Sequence, residues 1–267
     1  MFLKNLQKVF VLGLLIYSPI CTMAWGVIGH RVVGQIAETY ITARSKANIY
    51  KILGNESIAM ASNYADFIKS DTSLAYVSPW HYVNVPGGKT LSEFEDFLKN
   101  DTSINAYTKL NFMVKELKSN KLSAENKLFY LRLLIHIVGD LHQPLHIGRK
   151  DDQGGNKIKV TWFNANSNLH RVWDDQLVTF QQLSYTEYAA VINHPSITQK
   201  KLWLSQNINL WLFDSYQTVD KIYTDIKTDD KLDYQYNFKF VAVLNAQLLK
   251  GGVHLAGILN SIFDKKN

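Results

Sequence analysis

The segment LRLLIHIVGDLHQPLHI, residues 131–147, is the most informative part of the chain for its architecture. Its first half is apolar at nearly every position, so a helix over this stretch would be buried on all sides. Three polar side chains lie in it nevertheless: His136, Asp140 and His146. Buried polar groups cost free energy unless they find partners. The segment therefore predicts a central helix that carries polar groups into the core.

His136 and Asp140 are four residues apart. On a helix this spacing puts both side chains on one face, with their Cβ atoms about 5–6 Å apart. Pro144 then ends the helix and lets His146 turn back toward the same face. Two interpretations remain open for this segment taken alone: a cation site, or a histidine hydrogen-bonded to an aspartate in the core.

The same spacing recurs downstream in the string NLHRVWD, where His170 and Asp174 lie one helical turn apart. A second pair makes two unrelated core hydrogen bonds a weaker explanation than a shared cation site. Asp66 and His81 are further candidates, although each is uninformative by itself. Histidine and aspartate without cysteine suit zinc or a similar borderline metal.

Residues 1–24 resemble a secretory signal peptide. Lys4 and Lys8 precede an apolar stretch over residues 9–20, and small residues lead up to Ala24, after which we expect cleavage. A retained membrane anchor is the alternative, but the apolar run is shorter than the roughly 20 residues that a spanning helix needs. We therefore expect a secreted or periplasmic protein whose single domain occupies residues 25–267.

Cleavage there would create a new N-terminus at Trp25, five residues before His30. A terminal amine has an unperturbed pKa of about 7.7–8.0, so it can give up its proton to a metal. Trp25 could then chelate through its amine and carbonyl, beside the His30 imidazole. An ordinary frayed terminus is the simpler alternative.

Charge and cysteine content bound the function only loosely. The chain has 29 basic and 23 acidic residues, and loss of Lys4 and Lys8 changes the formal charge from +6 to +4. Such a mild excess permits a polyanionic partner without indicating one. The one cysteine, Cys21, lies within the predicted leader, so the mature domain would contain no disulfide.

The remaining sequence predicts a mainly α, single-domain helical bundle with a small β-hairpin. Apolar residues recur at helical spacing around Leu110 and again through residues 241–262, where the pair Gly251 and Gly252 predicts a kink or a close helix contact. Apolar and polar residues alternate over residues 158–162, which predicts a short strand or hairpin.

Together, these motifs resemble the single-strand-specific zinc nucleases of the mung bean nuclease type, also called class I nucleases. The resemblance spans essentially all of residues 25–267 and rests on nine candidate ligands in the order of that family. Those positions are Trp25, His30, Asp66, His81, His136, Asp140, His146, His170 and Asp174. The absence of cysteine from the mature domain favours a bacterial-type member. The fold implied is that of the zinc-dependent phospholipase C and nuclease superfamily.

The resemblance implies three zinc ions. One ion would be held by Asp66, His81, His136 and Asp140. A second would be held by Trp25 and His30, with Asp140 bridging it to the first. The third would be held by His146, His170 and Asp174. A close zinc pair can convert a bridging water to hydroxide near neutral pH, which would attack phosphorus in line.

The implied activity is that of an endonuclease on single-stranded DNA and RNA that leaves 5′-phosphate ends and also acts as a 3′-nucleotidase. Asp66, Asp140 and Lys69 would be catalytic, and Lys69 would also contact phosphate. Tyr82 would stack on a base, and Asn84 replaces an aspartate usual in fungal members, which changes the expected base preference. We expect a monomer with no stable membrane association.

Two other functions remain possible from the sequence. Zinc-dependent phospholipase C shares the metal arrangement, but that family typically carries glutamate where this chain has Asp174. A non-catalytic zinc protein is the second alternative, although nine ligands for three ions leave coordination positions open for substrate. His142, His194 and His254 are expected to lie outside the metal site.

Overall fold

A computed structural model describes residues 25–119 and 121–264. The predicted leader, residues 1–24, lies outside the described residues. The described chain is mainly helical, which confirms the predicted fold class. The helices are α1 (Val27–Tyr40), α2 (Ala43–Leu53), α3 (Ile58–Ala61), α4 (Tyr64–Phe67), α5 (Leu91–Asn100), α6 (Ala106–Ser119), α7 (Ala124–Asp140), α8 (Leu169–Arg171), α9 (Leu177–Phe180), α10 (Tyr185–Ile192), α11 (Ile197–Ser205), α12 (Ile208–Thr224) and α13 (Tyr234–Phe263). Three 3₁₀ helices cover Ile68–Ser70, Thr72–His81 and Pro144–Ile147, and a π-helix covers Val172–Gln176.

Helix α7 is the predicted central helix. Leu131 through Asp140 are buried except for Arg132, whose guanidinium pairs with Glu56 at 2.6 Å. The hydroxyl of Ser123 accepts a hydrogen bond from Asn126 N and caps the N-terminus of the helix. The helix packs against α1, α4, α6 and α13, so its polar side chains face the inside of the bundle.

Helix α13 runs unbroken through the glycine pair. A Cβ at Gly252 would lie 2.4 Å from Ile36 Cγ2, so the glycine permits close contact with α1 instead of a kink. By length and composition α13 could cross a membrane, but most of its apolar side chains between Leu244 and Leu259 are buried, and the helix packs against α1 and α11. It is the second core helix of the bundle.

The predicted hairpin is present and belongs to a small sheet. Strand β1 (Lys159–Trp162) pairs antiparallel with β2 (Ala165–Asn168), with Val160 opposite Ser167. Phe163 and Asn164 form the turn, and both have positive φ angles, as tight hairpin turns require. A third strand, β3 (Asp230–Leu232), pairs parallel with β1 and was not predicted. The sheet order is β2-β1-β3.

Candidate metal centre

The nine residues singled out as metal ligands are all buried, although they come from distant parts of the chain. Eight of them contribute side chains to three groups in which the nitrogen and oxygen atoms lie within 4.8 Å of one another. The groups are His30 with Asp66 and His136; His81 with His136 and Asp140; and His146 with His170 and Asp174. His136 belongs to two groups, so these two form one continuous cluster.

Asp140, the last residue of α7, lies at the centre of that cluster. Its Oδ1 is 3.2 Å from His30 Nε2, while its Oδ2 is 2.9 Å from His81 Nδ1 and 3.2 Å from His136 Nε2. The two carboxylate oxygens therefore face different histidines. A carboxylate in this arrangement is able to bridge two cations.

Backbone carbonyls orient three of the imidazoles. His136 Nδ1 donates to Ser62 O at 2.7 Å, His146 Nδ1 to His81 O at 2.6 Å, and His170 Nδ1 to Gly154 O at 2.6 Å. With Nδ1 engaged in this way, each Nε2 is left to face the centre of its group. Such outer hydrogen bonds fix the tautomer and ring direction of metal-binding histidines.

The third group joins the 3₁₀ helix Pro144–Ile147 to the helical segment that begins at Leu169. His146 and His170 stack with their ring centroids 4.9 Å apart, and Asp174 Oδ2 is 3.2 Å from His170 Nε2. Asp174 lies in the π-helix, a local geometry that is frequent at functional sites. Its Oδ1 accepts a hydrogen bond from the buried amide of Gln143, which the sequence interpretation did not single out.

The start of the described chain packs directly against this centre. Trp25 is fully buried, and the next backbone amide, that of Gly26, donates to Asp174 O. A Cβ at Gly139 would lie 2.8 Å from His30 Nδ1, so only glycine at position 139 lets the imidazole lie this close to α7. Trp25 therefore lies beside Asp174 of the third group, and His30 lies beside Asp140 of the continuous cluster.

The loop that holds His170 is tied to α12. Tyr223 Oη donates to Asp152 Oδ1 at 2.8 Å, and the same oxygen accepts from Gly155 N at 2.8 Å. Gly154 has a φ of +61°, and a Cβ there would lie 2.4 Å from Leu145 O. These contacts fix the Gly154 carbonyl that orients His170.

We therefore expect Tyr223→Phe to weaken metal binding at the third group. The change removes only a hydroxyl. Because it acts on His170 through Asp152 and the Gly154 carbonyl, we expect a loss in metal affinity of at most about 10-fold, the lower end of the range for direct partners of a ligand. Zinc titration of metal-depleted protein against a competing chelator measures the effect. Tyr188→Phe is the matched control, because the Tyr188 hydroxyl donates to Asn245 at 2.7 Å, away from the groups. Equal zinc affinity in the two variants would show that the hydrogen bond from Tyr223 to Asp152 does not support metal binding.

A cleft of about 910 Å³ opens over the groups. His81, His146 and His170 line it, and Tyr82 and Asn84 also face it. The side chain of Tyr82 is 42% exposed, so its ring is available for stacking. Lys69 lines the same cleft and forms an ion pair with Asp66 Oδ1 at 2.6 Å.

Burial dominates the electrostatics of the cluster. It lowers the pKa of His81 to about 4 and also lowers the pKa of His30, so both imidazoles are neutral and able to bind a metal. Burial alone would raise the pKa of Asp140, but His136 and the hydrogen bonds from its histidine neighbours hold it well below the usual value. Burial alone would lower the pKa of His136, but the charges of Asp140 and Asp66 outweigh its burial and raise that pKa. The cluster thus combines two neutral imidazoles, those of His30 and His81, with an ionised carboxylate.

Several buried atoms of the described site have no hydrogen-bond partner of acceptable geometry. They include both ring nitrogens of His30, Asp140 Oδ1, His146 Nε2 and Asp174 Oδ2. Unpartnered buried groups of this kind are costly, and an ionised carboxylate among them is especially so. Bound divalent cations would satisfy them, and a set of nitrogen and oxygen donors without sulfur fits zinc.

Chelation should therefore destabilise the folded protein. Leaving even one buried carboxylate uncompensated costs about 3–5 kcal/mol, which corresponds to roughly 10 °C in melting temperature for a domain of this size. Thermal unfolding with and without a chelator measures the shift, and added Zn²⁺ should reverse it while Mg²⁺ should not. An unchanged melting temperature after complete metal removal would mean that the groups are stable without cations.

The other three histidines lie away from these groups. His142 is buried on the far side of α7, where it stacks on Trp211 and its Nε2 is 2.8 Å from His254 Nδ1. His254 belongs to α13, and His194 is exposed in the loop between α10 and α11. Gln143 and Tyr223 could not be predicted as parts of the site, because their roles depend on contacts across 31 and 71 residues.

Comparison with known proteins agrees with this geometry. Residues 25–264 match the family model described as S1/P1 Nuclease. Endonuclease 3 of Arabidopsis thaliana is 30% identical over 97% of this chain and 95% of its own length. Nuclease P1 of Penicillium citrinum is 26% identical over 89% of this chain and 97% of its length, and Nuclease S1 of Aspergillus oryzae is 29% identical over 58% and 55%. The chain therefore belongs to the S1/P1 nuclease family, a family of zinc-dependent enzymes, as the sequence motifs predicted.

Proposed function

We propose that this protein is an exported endonuclease that uses three zinc ions to hydrolyse phosphodiester bonds in single-stranded DNA and RNA. Its products would end in 5′-phosphate, and it would also remove the 3′-phosphate of nucleotides. The observation that carries the proposal is the convergence of three buried groups of histidine and aspartate beneath one cleft, with an exposed aromatic ring on the cleft wall. The names of the relatives, nuclease and endonuclease, support the reaction class.

The continuous cluster formed by the first two groups would bind two ions, and the third group would bind one. Asp66, His81, His136 and Asp140 would hold the first; His30 with the amine and carbonyl of Trp25 the second; and His146, His170 and Asp174 the third. Bound zinc supplies Lewis acidity, both to activate water and to stabilise negative charge on phosphate oxygens. Asp140 would bridge the first two ions, which agrees with its two oxygens facing different histidines.

The cleft wall would bind and orient the strand. The exposed face of Tyr82 can stack on any base, which favours a base that is free of a complementary strand. Asn84 can both donate to and accept from a base edge, so it would bias the choice of base. Lys69 lies where its ammonium can pair with both Asp66 and a substrate phosphate.

Export would complete the site. Cleavage after Ala24 would free the Trp25 amine, and the family match begins at the same residue. We infer that the mature protein is a secreted or periplasmic monomer formed by the single domain of residues 25–267.

A substrate panel tests this proposal. Zinc-loaded mature protein is incubated with single-stranded DNA, single-stranded RNA, duplex DNA, a 3′-nucleotide and phosphatidylcholine vesicles. We expect cleavage of both single strands and release of phosphate from the 3′-nucleotide, with duplex DNA and vesicles intact. Release of diacylglycerol without shortening of DNA would instead indicate a phospholipase C, and no activity on any substrate would indicate a non-catalytic zinc protein.

A further inference from the structure

A second cavity, of about 700 Å³, adjoins the cleft. Tyr82, Asn84 and Lys150 line both spaces, so these three residues form the wall between them. Residues of the metal groups line the first cleft only. The second cavity therefore lies on the side of Tyr82 away from the predicted metals.

The far wall of this cavity presents apolar surface on a rigid turn. Ile104 is 59% exposed there, and Phe97 lines the cavity beside it. The turn is held by Asp101, which accepts from Ser103 N at 2.9 Å and from Asn105 Nδ2 at 2.7 Å. Because the turn is held in place, Ile104 and Phe97 offer the cavity a fixed apolar surface.

The turn is also fastened to the wall between the cavities. Ala106 N donates to Tyr82 O at 3.0 Å, which sets the position of the turn relative to the Tyr82 ring. A base stacked on Tyr82 in the cleft would thus have this second apolar space next to it. The two spaces share a wall one residue thick.

The charges decide which part of a nucleotide each surface suits. Asp101 and Asp151 line the second cavity together with Arg149 and Lys150, so the four charges cancel and the lining carries no excess positive charge to draw a phosphate inside. Its apolar wall suits a base. Lys150 lies on the shared wall, and no hydrogen bond or ion pair of its ammonium is found within residues 25–119 and 121–264. It can therefore pair with the phosphate that links two nucleotides across the wall.

We propose that the second cavity is a subsite for the base of the next nucleotide of a single-stranded substrate, adjacent to the nucleotide stacked on Tyr82. The inference rests on the proposed nuclease function and adds that the protein recognises an extended strand. The subsite lies on the side of the Tyr82 nucleotide away from the metals and therefore away from the cleaved bond. In a dinucleotide the one phosphodiester bond lies at the metals and the second nucleotide lies beyond it, so the subsite stays empty, whereas a longer strand would fill it.

Ile104→Asp tests the subsite, because it puts a charge on the apolar wall at an exposed position where folding is not at risk. The measurements are KM for oligothymidylates of two and six nucleotides, with zinc-loaded protein at fixed salt. Since the charge replaces an apolar contact with the base, we expect KM for the hexanucleotide to rise about fivefold. KM for the dinucleotide should stay within about twofold.

Ile197→Asp is the matched control. Ile197 is 83% exposed at the start of α11 and lines neither cavity, so this variant should behave as the wild type with both substrates. Equal melting temperatures would show that both variants are folded. An unchanged hexanucleotide KM in Ile104→Asp, or an equal rise for both substrates, would overturn the subsite.

Failure of the nuclease proposal and failure of the subsite proposal give different results. Wild-type protein that cleaves neither oligonucleotide would overturn the nuclease proposal itself. Fluorescence anisotropy of a labelled hexanucleotide then tests the subsite alone. Weaker binding by Ile104→Asp than by Ile197→Asp supports the subsite, and equal binding contradicts it.

Discussion

Asp140→Asn is expected to reduce single-stranded DNA cleavage by more than about 100-fold, the upper end of what losing a hydrogen bond to a metal ligand costs. The amide is nearly isosteric with the carboxylate, but it replaces one of two oxygen donors by an NH₂ group that cannot bind a cation. It also removes the negative charge that faces His30, His81 and His136. We expect zinc content to fall by about one ion per chain.

The measurements are zinc content by mass spectrometry and the initial rate of cleavage. Asp214→Asn is the control, because Asp214 forms an ion pair of 2.6 Å with Lys250 away from the metal groups. It should keep both zinc and activity. His142→Ala removes a buried ring stacked on Trp211, so it should lower the melting temperature. The cleavage rate of the protein that remains folded should change little. Equal activities for Asp140→Asn and His142→Ala would contradict the assignment of Asp140.

Extension of the mature N-terminus by one residue is expected to cause a loss of activity of similar size. An added residue turns the Trp25 amine into an amide, which no longer offers a free electron pair to a metal. Trp25 is fully buried and the following amide is bound to Asp174 O, so the new residue has no room to move the terminus away. The site would then lose a ligand while the fold remains.

Proteins that begin at Trp25 and at an added glycine are compared for zinc content, cleavage rate and melting temperature. N-terminal sequencing shows which terminus each sample carries. We expect the extended protein to lose zinc and activity together, with its helical content unchanged. Full turnover by the extended protein would remove Trp25 from the metal site.

Local spacing predicted those parts of the site that lie within one continuous helical stretch of the chain. The separation of four residues between His136 and Asp140 placed them on one face, and the structure has His136 Nε2 3.2 Å from Asp140 Oδ2. The same holds for His170 and Asp174, whose atoms approach to 3.2 Å. Helical geometry fixes such pairs before any tertiary contact forms.

Contacts between distant segments could not be obtained from spacing. His81 lies 59 residues from Asp140 and reaches it only because the 3₁₀ helix Thr72–His81 packs on α7. The resemblance to the nuclease family, not periodicity, placed His81 in the site. Strand β3 was missed because three residues, Asp230–Leu232, are too short to show an alternating pattern.

Metal analysis of the mature protein, combined with a chelator-controlled digest of single-stranded and double-stranded DNA, is the most direct test of the metal-dependent nuclease. We predict about three zinc ions per chain and cleavage of the single strand alone. A chelator should abolish cleavage, and added Zn²⁺ should restore it. Undiminished cleavage after removal of all bound metal would contradict the account.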